Sequence, residues 1–349
     1  MISFRSRVTP PDRRGARALQ LTIGLLVSAA LIYWAFHDKD WAKVWASVRN
    51  MHVLPMLIAV GVSTLPFPLR IPRWRLLLRH DDDTPLPTPA LWHAIAIGFA
   101  ANNTLPFRAG ELLRVAAVSR LGEVSFPSAL SSLAVERVLD ALIVIGMLGI
   151  GLVLAHFPPD VTISGAPIGA AAGRIGAICL IAFLGAIFAA WKRDWALGVV
   201  RRVVGHGAIG EKIHHFVGRL LAGLNALRDP RRALPVVAWT VVIWLVNAAA
   251  FAIALTAFDL SVPFSGVLVL QGLLMIGIAA PQGPGYPGGF EVPIVLVLGF
   301  YAIDKDIALA YALTYHLLTF VPITLLGVWS AVRSGVTLKA ARAVERDAS

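Results

Sequence analysis

Residues 128–157 read SALSSLAVERVLDALIVIGMLGIGLVLAHF, and this stretch decides the fold class. A helix needs about 20 apolar residues to cross a bilayer, so this block is long enough to span one. Glu136, Arg137 and Asp140 nevertheless interrupt it within about one helical turn. Each charge at membrane depth costs roughly 2.5 to 3.5 kcal/mol on insertion scales, so we expect the three to point into the protein and to pair there. A functional site and a purely structural set of ion pairs are both open interpretations of them.

Apolar blocks of two lengths recur through the chain. The long blocks can cross a bilayer, and they cover residues 19–36, 53–69, 128–157, 171–191, 234–258 and 307–332. The short blocks cover residues 90–101, 109–120, 266–280 and 288–302, and a Pro/Gly-rich stretch joins each pair. At a rise of about 1.5 Å per residue the short blocks reach only partway across, which predicts half-helices. The sequence thus predicts an all-α polytopic membrane protein with about six transmembrane helices and two re-entrant hairpins.

The composition supports a membrane protein and excludes other classes. Of the 349 residues, 57% are hydrophobic and 15% are charged, whereas soluble domains are about half apolar and about a quarter charged. This excludes a soluble enzyme, a disordered protein and a fibrous repeat. The basic residues behind the net charge of +11 lie mainly beside the apolar blocks, which favours contact with anionic lipid over nucleic-acid binding. The single cysteine, Cys179, lies in an apolar block, so no disulfide, metal site or other cofactor is predicted.

The distribution of Lys and Arg predicts the threading, because cytoplasmic loops collect them. The N-terminus, the segment 70–79 after the second span, the segment 192–232 and the C-terminus are basic, whereas residues 157–173 and 259–265 carry no Lys or Arg. We therefore expect a multi-pass protein of the cytoplasmic membrane with both termini cytoplasmic. Its parts would be a basic N-terminus (1–18), a membrane domain (19–332) with an amphipathic cytoplasmic connector (about 195–230), and a basic tail (333–349). The first hairpin would enter from the cytoplasm and the second from outside, so the hairpins are opposed.

The two halves of the chain match at an offset of 180 residues. Residues 53–69 fall on 233–249, and the hairpin turn 102–111 falls on 282–291. Glu111 precedes Glu136 by 25 positions, and Glu291 precedes His316 by the same 25. Repeat one would cover residues 19–157 and repeat two residues 171–332. Since each half holds an odd number of crossings, we expect an inverted repeat, as in many secondary transporters.

The first hairpin turn reads NNTLPFRAGELLRV over residues 102–115. Pro and Gly end one half-helix and start the next, while Arg108 and Glu111 can face each other across a turn. The positive end of a half-helix, together with Arg108 and Arg114, would attract an anionic head group. Ordinary helix-cap chemistry in a cytoplasmic loop is the alternative. The predicted substrate-binding residues in this region are Asn102, Asn103, Arg108, Glu111, Arg114, Glu136, Arg137 and Asp140.

The second hairpin turn reads PQGPGYPGGFE over residues 281–291. Its Gly and Pro content excludes a continuous helix, and it lacks the Lys and the following Ser or Thr of a phosphate loop. Gln282, Tyr286 and Glu291 are its candidate binding groups. His316 lies about 14 Å into the last span, where it could serve the site or form a helix-to-helix hydrogen bond.

The two hairpin sequences, together with ALSSLAVERVLD at residues 129–140, resemble the signatures of the lysylphosphatidylglycerol synthase transmembrane, or flippase-like, family. The resemblance covers nearly all of residues 19–332, and members often carry an arginine where this chain has Tyr315 and His316. Larger members add a soluble aminoacyl-phospholipid synthase domain, whose activity we expect to be absent because 17 residues follow Val332. The resemblance implies functional roles for Asn103, Pro106, Arg108, Gly110, Glu111, Arg114, Glu136, Arg137 and Asp140, and more loosely for Pro284, Gly288, Gly289 and Glu291.

These features predict a translocator of an anionic lipid, or of a polyprenyl-phosphate-linked amphiphile, that is not an enzyme. The hairpins would hold the head group near the midplane while the tail stays in the bilayer. One alternative is a membrane-embedded lipid transferase or hydrolase with Glu111, Glu136 and Asp140 as acid/base groups. Another is a non-catalytic partner of a lipid-modifying enzyme, and association into a homo-oligomer is also open.

Overall fold

The computed structural model describes residues 13–80, 82–105, 109–158, 161–163, 166–204, 207, 211, 230–280 and 282–336. Most of these residues are helical. The helices are α1 (Arg13–Phe36), α2 (Trp41–Asn50), α3 (Val53–Thr64), α4 (Pro66–Leu77), α5 (Thr88–Thr104), α6 (Gly110–Leu121), α7 (Phe126–Leu154), α8 (Ile168–Trp191), α9 (Arg193–Val204), α10 (Pro230–Thr256), α11 (Phe264–Ala279), α12 (Glu291–Gly299) and α13 (Lys305–Ser334). Two short antiparallel strands, β1 (Thr162–Ile163) and β2 (Ala166–Pro167), precede α8. Most of the predicted connector at residues 195–230 lies outside the described residues.

Five helical segments in the described part of the chain are long and apolar enough to cross a membrane. They are Val53–Leu77, Phe126–Leu154, Ile168–Ala189, Ala233–Thr256 and Lys305–Ser334. The first predicted span corresponds to α1, whose apolar part, Gly24–Phe36, is shorter. The polytopic, helical membrane fold is therefore confirmed, whereas the number of about six spans stays a prediction.

The second span is longer than the sequence predicted. It consists of α3 and α4, which join at Leu65 without leaving the helical conformation and continue to Leu77. We predicted that this span ends at residue 69 and that Arg70 and Arg73 lie in a cytoplasmic loop, which is wrong. Both arginines lie within α4 and are buried, because carboxylates of α7 compensate their charge.

Helices α5 and α6 form the first hairpin. A Cβ added at Gly98 would lie 2.8 Å from the Cβ of Arg114 and 3.1 Å from the carbonyl oxygen of Gly110. A Cβ added at Gly110 would collide with the carbonyl oxygen of Gly98 and with the backbone of Asn102. Contacts of 98 with 114 and of 102 with 110 define an antiparallel pair. Glycine at both positions is what allows the two backbones to approach this closely.

Helices α11 and α12 form the second hairpin in the same way. A Cβ added at Gly277 would lie 2.6 Å from the carbonyl oxygen of Gly289, and near the other end of the pair Gly266 faces the ring of Tyr301. These contacts again pair early with late residues, so the helices are antiparallel. The short apolar blocks of the sequence therefore form two helical hairpins.

The apolar core lies between the hairpins and the long helices. One cluster joins α3, α10, α11, α12 and α13 with the second half of α7, and it contains fully buried side chains such as Leu270, Ile294 and Tyr311. A second cluster joins α4, α5, α6 and the first half of α7 around Trp74, Leu91 and Ile95. The charged residues of α7 lie between these two clusters, which places them inside the protein and away from lipid.

Candidate functional site

Glu136 is the centre of a buried charge cluster. It is fully buried on α7 and accepts two hydrogen bonds from the guanidinium of Arg114, at 2.6 Å and 3.0 Å. This two-pronged contact is the strongest geometry available to an arginine and a carboxylate. The Arg114 guanidinium also lies 3.9 Å from the centre of the Trp74 ring, so it is held from two sides.

Asp140 lies one turn further along α7 and has its own set of donors. Arg73 donates from Nη1 to Asp140 Oδ1 at 2.5 Å, and the Trp244 indole N–H donates to the same oxygen at 3.1 Å. Arg73 also contacts Glu136, with 3.0 Å between Nη2 and Oε1. Helices α4, α7 and α10 are thus joined through one aspartate.

Arg70 and Arg137 complete the cluster and differ from the other two arginines. Nη1 of Arg70 is 3.7 Å from both Glu136 and Asp140, and its buried Nε has no hydrogen-bond partner among the described residues. Arg137 contacts Glu136 at 2.5 Å, Asp140 at 3.1 Å and Glu111 at 3.7 Å, and 37% of its side chain is exposed. Both guanidinium groups therefore keep capacity for a further acceptor.

The cluster carries more positive than negative charge. Four arginines, Arg70, Arg73, Arg114 and Arg137, face Glu136 and Asp140, with Glu111 at the edge. Three carboxylates leave one positive charge over. Buried charges persist where opposite charges compensate them, so this surplus favours an anion as the missing partner.

A second charged pair lies on the other hairpin. His316 Nδ1 is 2.6 Å from Glu291 Oε1, and the backbone N–H of Gly288 donates to Glu291 Oε2 at 2.8 Å. The imidazole stacks on Phe290 with 4.1 Å between the ring centres. The equal 25-residue spacings noted in the sequence thus correspond to Glu291 meeting His316 in one half and to Glu111 approaching Arg137, the neighbour of Glu136, in the other.

Both groups border one cavity of about 600 Å³ that lies between the two hairpins and helices α4, α7, α10 and α13. Its wall combines the charged groups with apolar and aromatic side chains such as Phe99, Met275 and Phe320. We name it the anion cavity. The predicted binding residues that line it are Asn102, Asn103, Glu111, Arg114, Arg137, Asp140, Tyr286 and His316.

The remaining predicted binding residues lie elsewhere. Glu136 and Glu291 are behind the wall and hold residues that line it, while Gln282 donates from Nε2 to the carbonyl oxygen of Gly277 at 2.5 Å and so closes the second hairpin. Arg108 lies outside the described residues, as does Pro106. Within the part of the chain that the structure describes, no group of three His, Cys, Asp or Glu side chains could hold a metal ion.

Sequence reasoning missed Arg70, Arg73 and Trp244. Arg70 and Arg73 are three residues apart, and Glu136 and Asp140 are four apart, so each pair occupies one face of its helix. Two apolar segments that carry charge pairs of opposite sign and of helical spacing are the signal that could have predicted this contact. No comparable signal singles out Trp244 from the other tryptophans of the chain.

Fold and site together define a polytopic helical membrane protein with a cationic, partly buried cavity. The chain belongs to the family described as lysylphosphatidylglycerol synthase TM region, whose model matches residues 21–327. The family resemblance expected from the hairpin sequences is therefore confirmed.

A curated relative adds a second finding. The chain is 26% identical to Glycosyltransferase AglD of Haloferax volcanii, over 97% of this chain and 57% of that protein. The chain thus spans little more than half of this relative's length. The prediction that the chain is not an enzyme is wrong in the light of this comparison, because a relative that matches nearly the whole chain is named as an enzyme.

Proposed function

We propose that this protein binds the anionic head group of a lipid, or of a polyprenyl-phosphate-linked amphiphile, in the anion cavity and moves it across the cytoplasmic membrane. The observation that carries the proposal is the surplus of guanidinium groups around Glu136 and Asp140, with Arg70 and Arg137 lining the cavity. An acceptor in this wall would receive charge-assisted hydrogen bonds where water competes poorly.

The size of the cavity supports a head group rather than a whole lipid. A volume of about 600 Å³ is within the range of small-molecule sites. A diacyl or polyprenyl tail would not fit beside the head group, and it would stay in the hydrocarbon layer. Asn102 and Asn103 line the cavity and offer amide groups for neutral polar parts of the head group.

The inverted repeat is part of this proposal, and the hairpin contacts support it. Gly98 and Gly110 are 12 residues apart and in close contact, and Gly277 and Gly289 have the same spacing and the same contact. The residue packed against the second glycine of each pair is Asn102 in one half and Gln282 in the other, 180 positions on. With six spans, opposed re-entrant hairpins and both termini in the cytoplasm, rocking of one repeat against the other would alternate access to the cavity.

A lipid transferase is the second candidate, and the name of the Haloferax volcanii relative favours it. In that case Glu111 is the better acid/base group, since it lines the cavity and its closest charged contact is at 3.7 Å. Glu136 and Asp140 are held by several arginines and are poor proton acceptors by comparison.

Leaflet transfer in liposomes tests the proposal. The purified protein is reconstituted with a fluorescent phosphatidylglycerol, and the fraction accessible to an impermeant reductant is followed over time. Arg70→Gln should slow transfer about tenfold or more, because it removes one charge-assisted contact to the head group. Arg75→Gln is the matched control, because Arg75 is on the same helix, contacts Thr88 and does not line the cavity.

Two outcomes separate the candidates. Transfer of chemically unchanged lipid that depends on Arg70 supports the translocator. Absence of transfer, together with a new lipid product when an activated sugar donor is supplied, would replace it with the transferase.

A further inference from the structure

We propose that Glu291 and His316 form a proton-binding site that couples proton uptake to head-group binding in the anion cavity. This inference rests on the proposed function, since it assigns the coupling ion of the same cavity.

The geometry fixes how the imidazole is presented. Glu291 is only 5% exposed and uses one oxygen for His316 Nδ1 at 2.6 Å and the other for the backbone N–H of Gly288 at 2.8 Å. Because Nδ1 is held by the carboxylate, Nε2 is the ring nitrogen that remains for the cavity. Carboxylate–imidazole pairs of this kind stabilise the imidazolium form, so the pair is built to accept a proton.

Aromatic packing keeps the pair in place. The imidazole is nearly parallel to the Phe290 ring, at 14°, and Phe320 meets its edge at 5.9 Å. A ring clamped on two sides can gain or lose a proton without a change of rotamer. The charge of the pair can therefore change while the shape of the cavity stays the same.

The charge count of the cavity gives the proton its effect. The charged and titratable groups that share the cavity wall with His316 are Arg70, Glu111, Arg114, Arg137, Asp140 and Tyr286. With Arg73 and Glu136 behind this wall, the cluster has four arginines and three carboxylates and so one surplus positive charge. A protonated His316 beside Glu291 is neutral as a pair, and the surplus stays. A neutral His316 leaves Glu291 as one uncompensated negative charge, which cancels the surplus.

Proton uptake and anion binding are therefore linked. An anion binds more tightly when the pair is protonated, and by reciprocity a bound anion favours protonation of the pair. One proton would then enter the cavity with each singly charged head group. Loss of this proton on the other side of the membrane would weaken the site and release the head group.

The test is the pH dependence of lipid binding to the full chain in nonionic detergent. The probe is short-chain phosphatidylglycerol, a phosphodiester whose single charge does not change across the titration range of histidine. Calorimetry from about pH 5 to about pH 8 should show binding by the wild type that weakens about tenfold as the pH rises.

Two variants and a control read out the pair. His316→Gln should bind with the weaker, pH-independent affinity, because Glu291 stays charged. Glu291→Gln should bind at about pH 8 as tightly as the wild type does at about pH 5, because the negative charge is gone. His52→Gln is the control: His52 pairs with Asp259 at 3.1 Å, but both are exposed and outside the cavity. It should keep the wild-type pH profile.

The outcomes separate this inference from the proposed function. If the wild type binds phosphatidylglycerol equally at all these pH values, or if both His316→Gln and Glu291→Gln keep its profile, the proton site is refuted and the anion cavity stands. If the wild type does not bind the probe at any pH, the proposed function and the proton site both fail.

Discussion

The contact between Arg73 and Asp140 should be a strong energetic link inside the membrane domain. Arg73 is fully buried, and its Nη1 donates to Asp140 Oδ1 at 2.5 Å. Breaking a buried ion pair by removal of one partner costs about 3–5 kcal/mol. We expect the lower end of this range, because Arg73 keeps Glu136 at 3.0 Å and Asp140 keeps Arg137 at 3.1 Å.

A double-mutant cycle measures the link. Arg73→Met and Asp140→Asn should each lower the free energy of unfolding by about 3 kcal/mol, and the double variant by about 4 rather than about 6 kcal/mol. The coupling energy is then about 2 kcal/mol. Unfolding in mixed detergent micelles, followed by circular dichroism, gives the four values.

An exposed pair of the same residue types serves as the control. Arg79 and Asp83 are 3.4 Å apart at the surface, where a coupling of at most about 0.5 kcal/mol is expected. If the coupling between Arg73 and Asp140 is no larger than that of the control pair, the buried cluster does not act as one unit and the reasoning fails.

Three further results are expected. Gly110→Ala should destabilise the protein by about 1–3 kcal/mol, because its Cβ would meet the backbone of the first helix of the hairpin, whereas Gly61→Ala, with no atom within 4 Å of the added Cβ, should be neutral or stabilising. The hydrogen bond from Lys43 lowers the pKa of the Asp304 carboxyl, so this contact stabilises α2 on α13 at neutral pH and is lost as the pH falls through the lowered pKa. Lys43→Met should therefore speed amide hydrogen exchange in α2 at neutral pH and make no difference in strong acid; equal exchange rates at neutral pH would contradict this. In a cysteine-free background, a cysteine at position 304 should react with an impermeant thiol reagent from outside and one at position 82 only after permeabilisation, and the reverse pattern would overturn the threading.

Much of the fold follows from sequence because membrane depth restricts the choices. Block length separated spans from half-helices, and the Pro/Gly-rich turns joined the right pairs, since α5 with α6 and α11 with α12 do form hairpins. The cost of charge in lipid also predicted that Glu136, Arg137 and Asp140 would turn inward and pair. The structure agrees, with Arg137 3.1 Å from Asp140.

The errors arose where the stabilising partner lies in another segment. Arg70 and Arg73 look like loop residues when α4 is considered alone, because each raises the cost of insertion. Only contact with Glu136 and Asp140, more than 60 residues away, makes their burial favourable. Helix α2 was not predicted for a related reason: it is a short amphipathic helix whose Lys43 bonds Asp304 at the far end of the chain.

The most direct test of the anion cavity is native mass spectrometry of the protein released from membranes in mild detergent. The wild type should carry a co-purified lipid with a phosphate-containing head group. The double variant Arg70→Gln/Arg137→Gln should lose it, whereas Arg79→Gln should keep it. Equal lipid occupancy in all three proteins would contradict an anion site at these arginines.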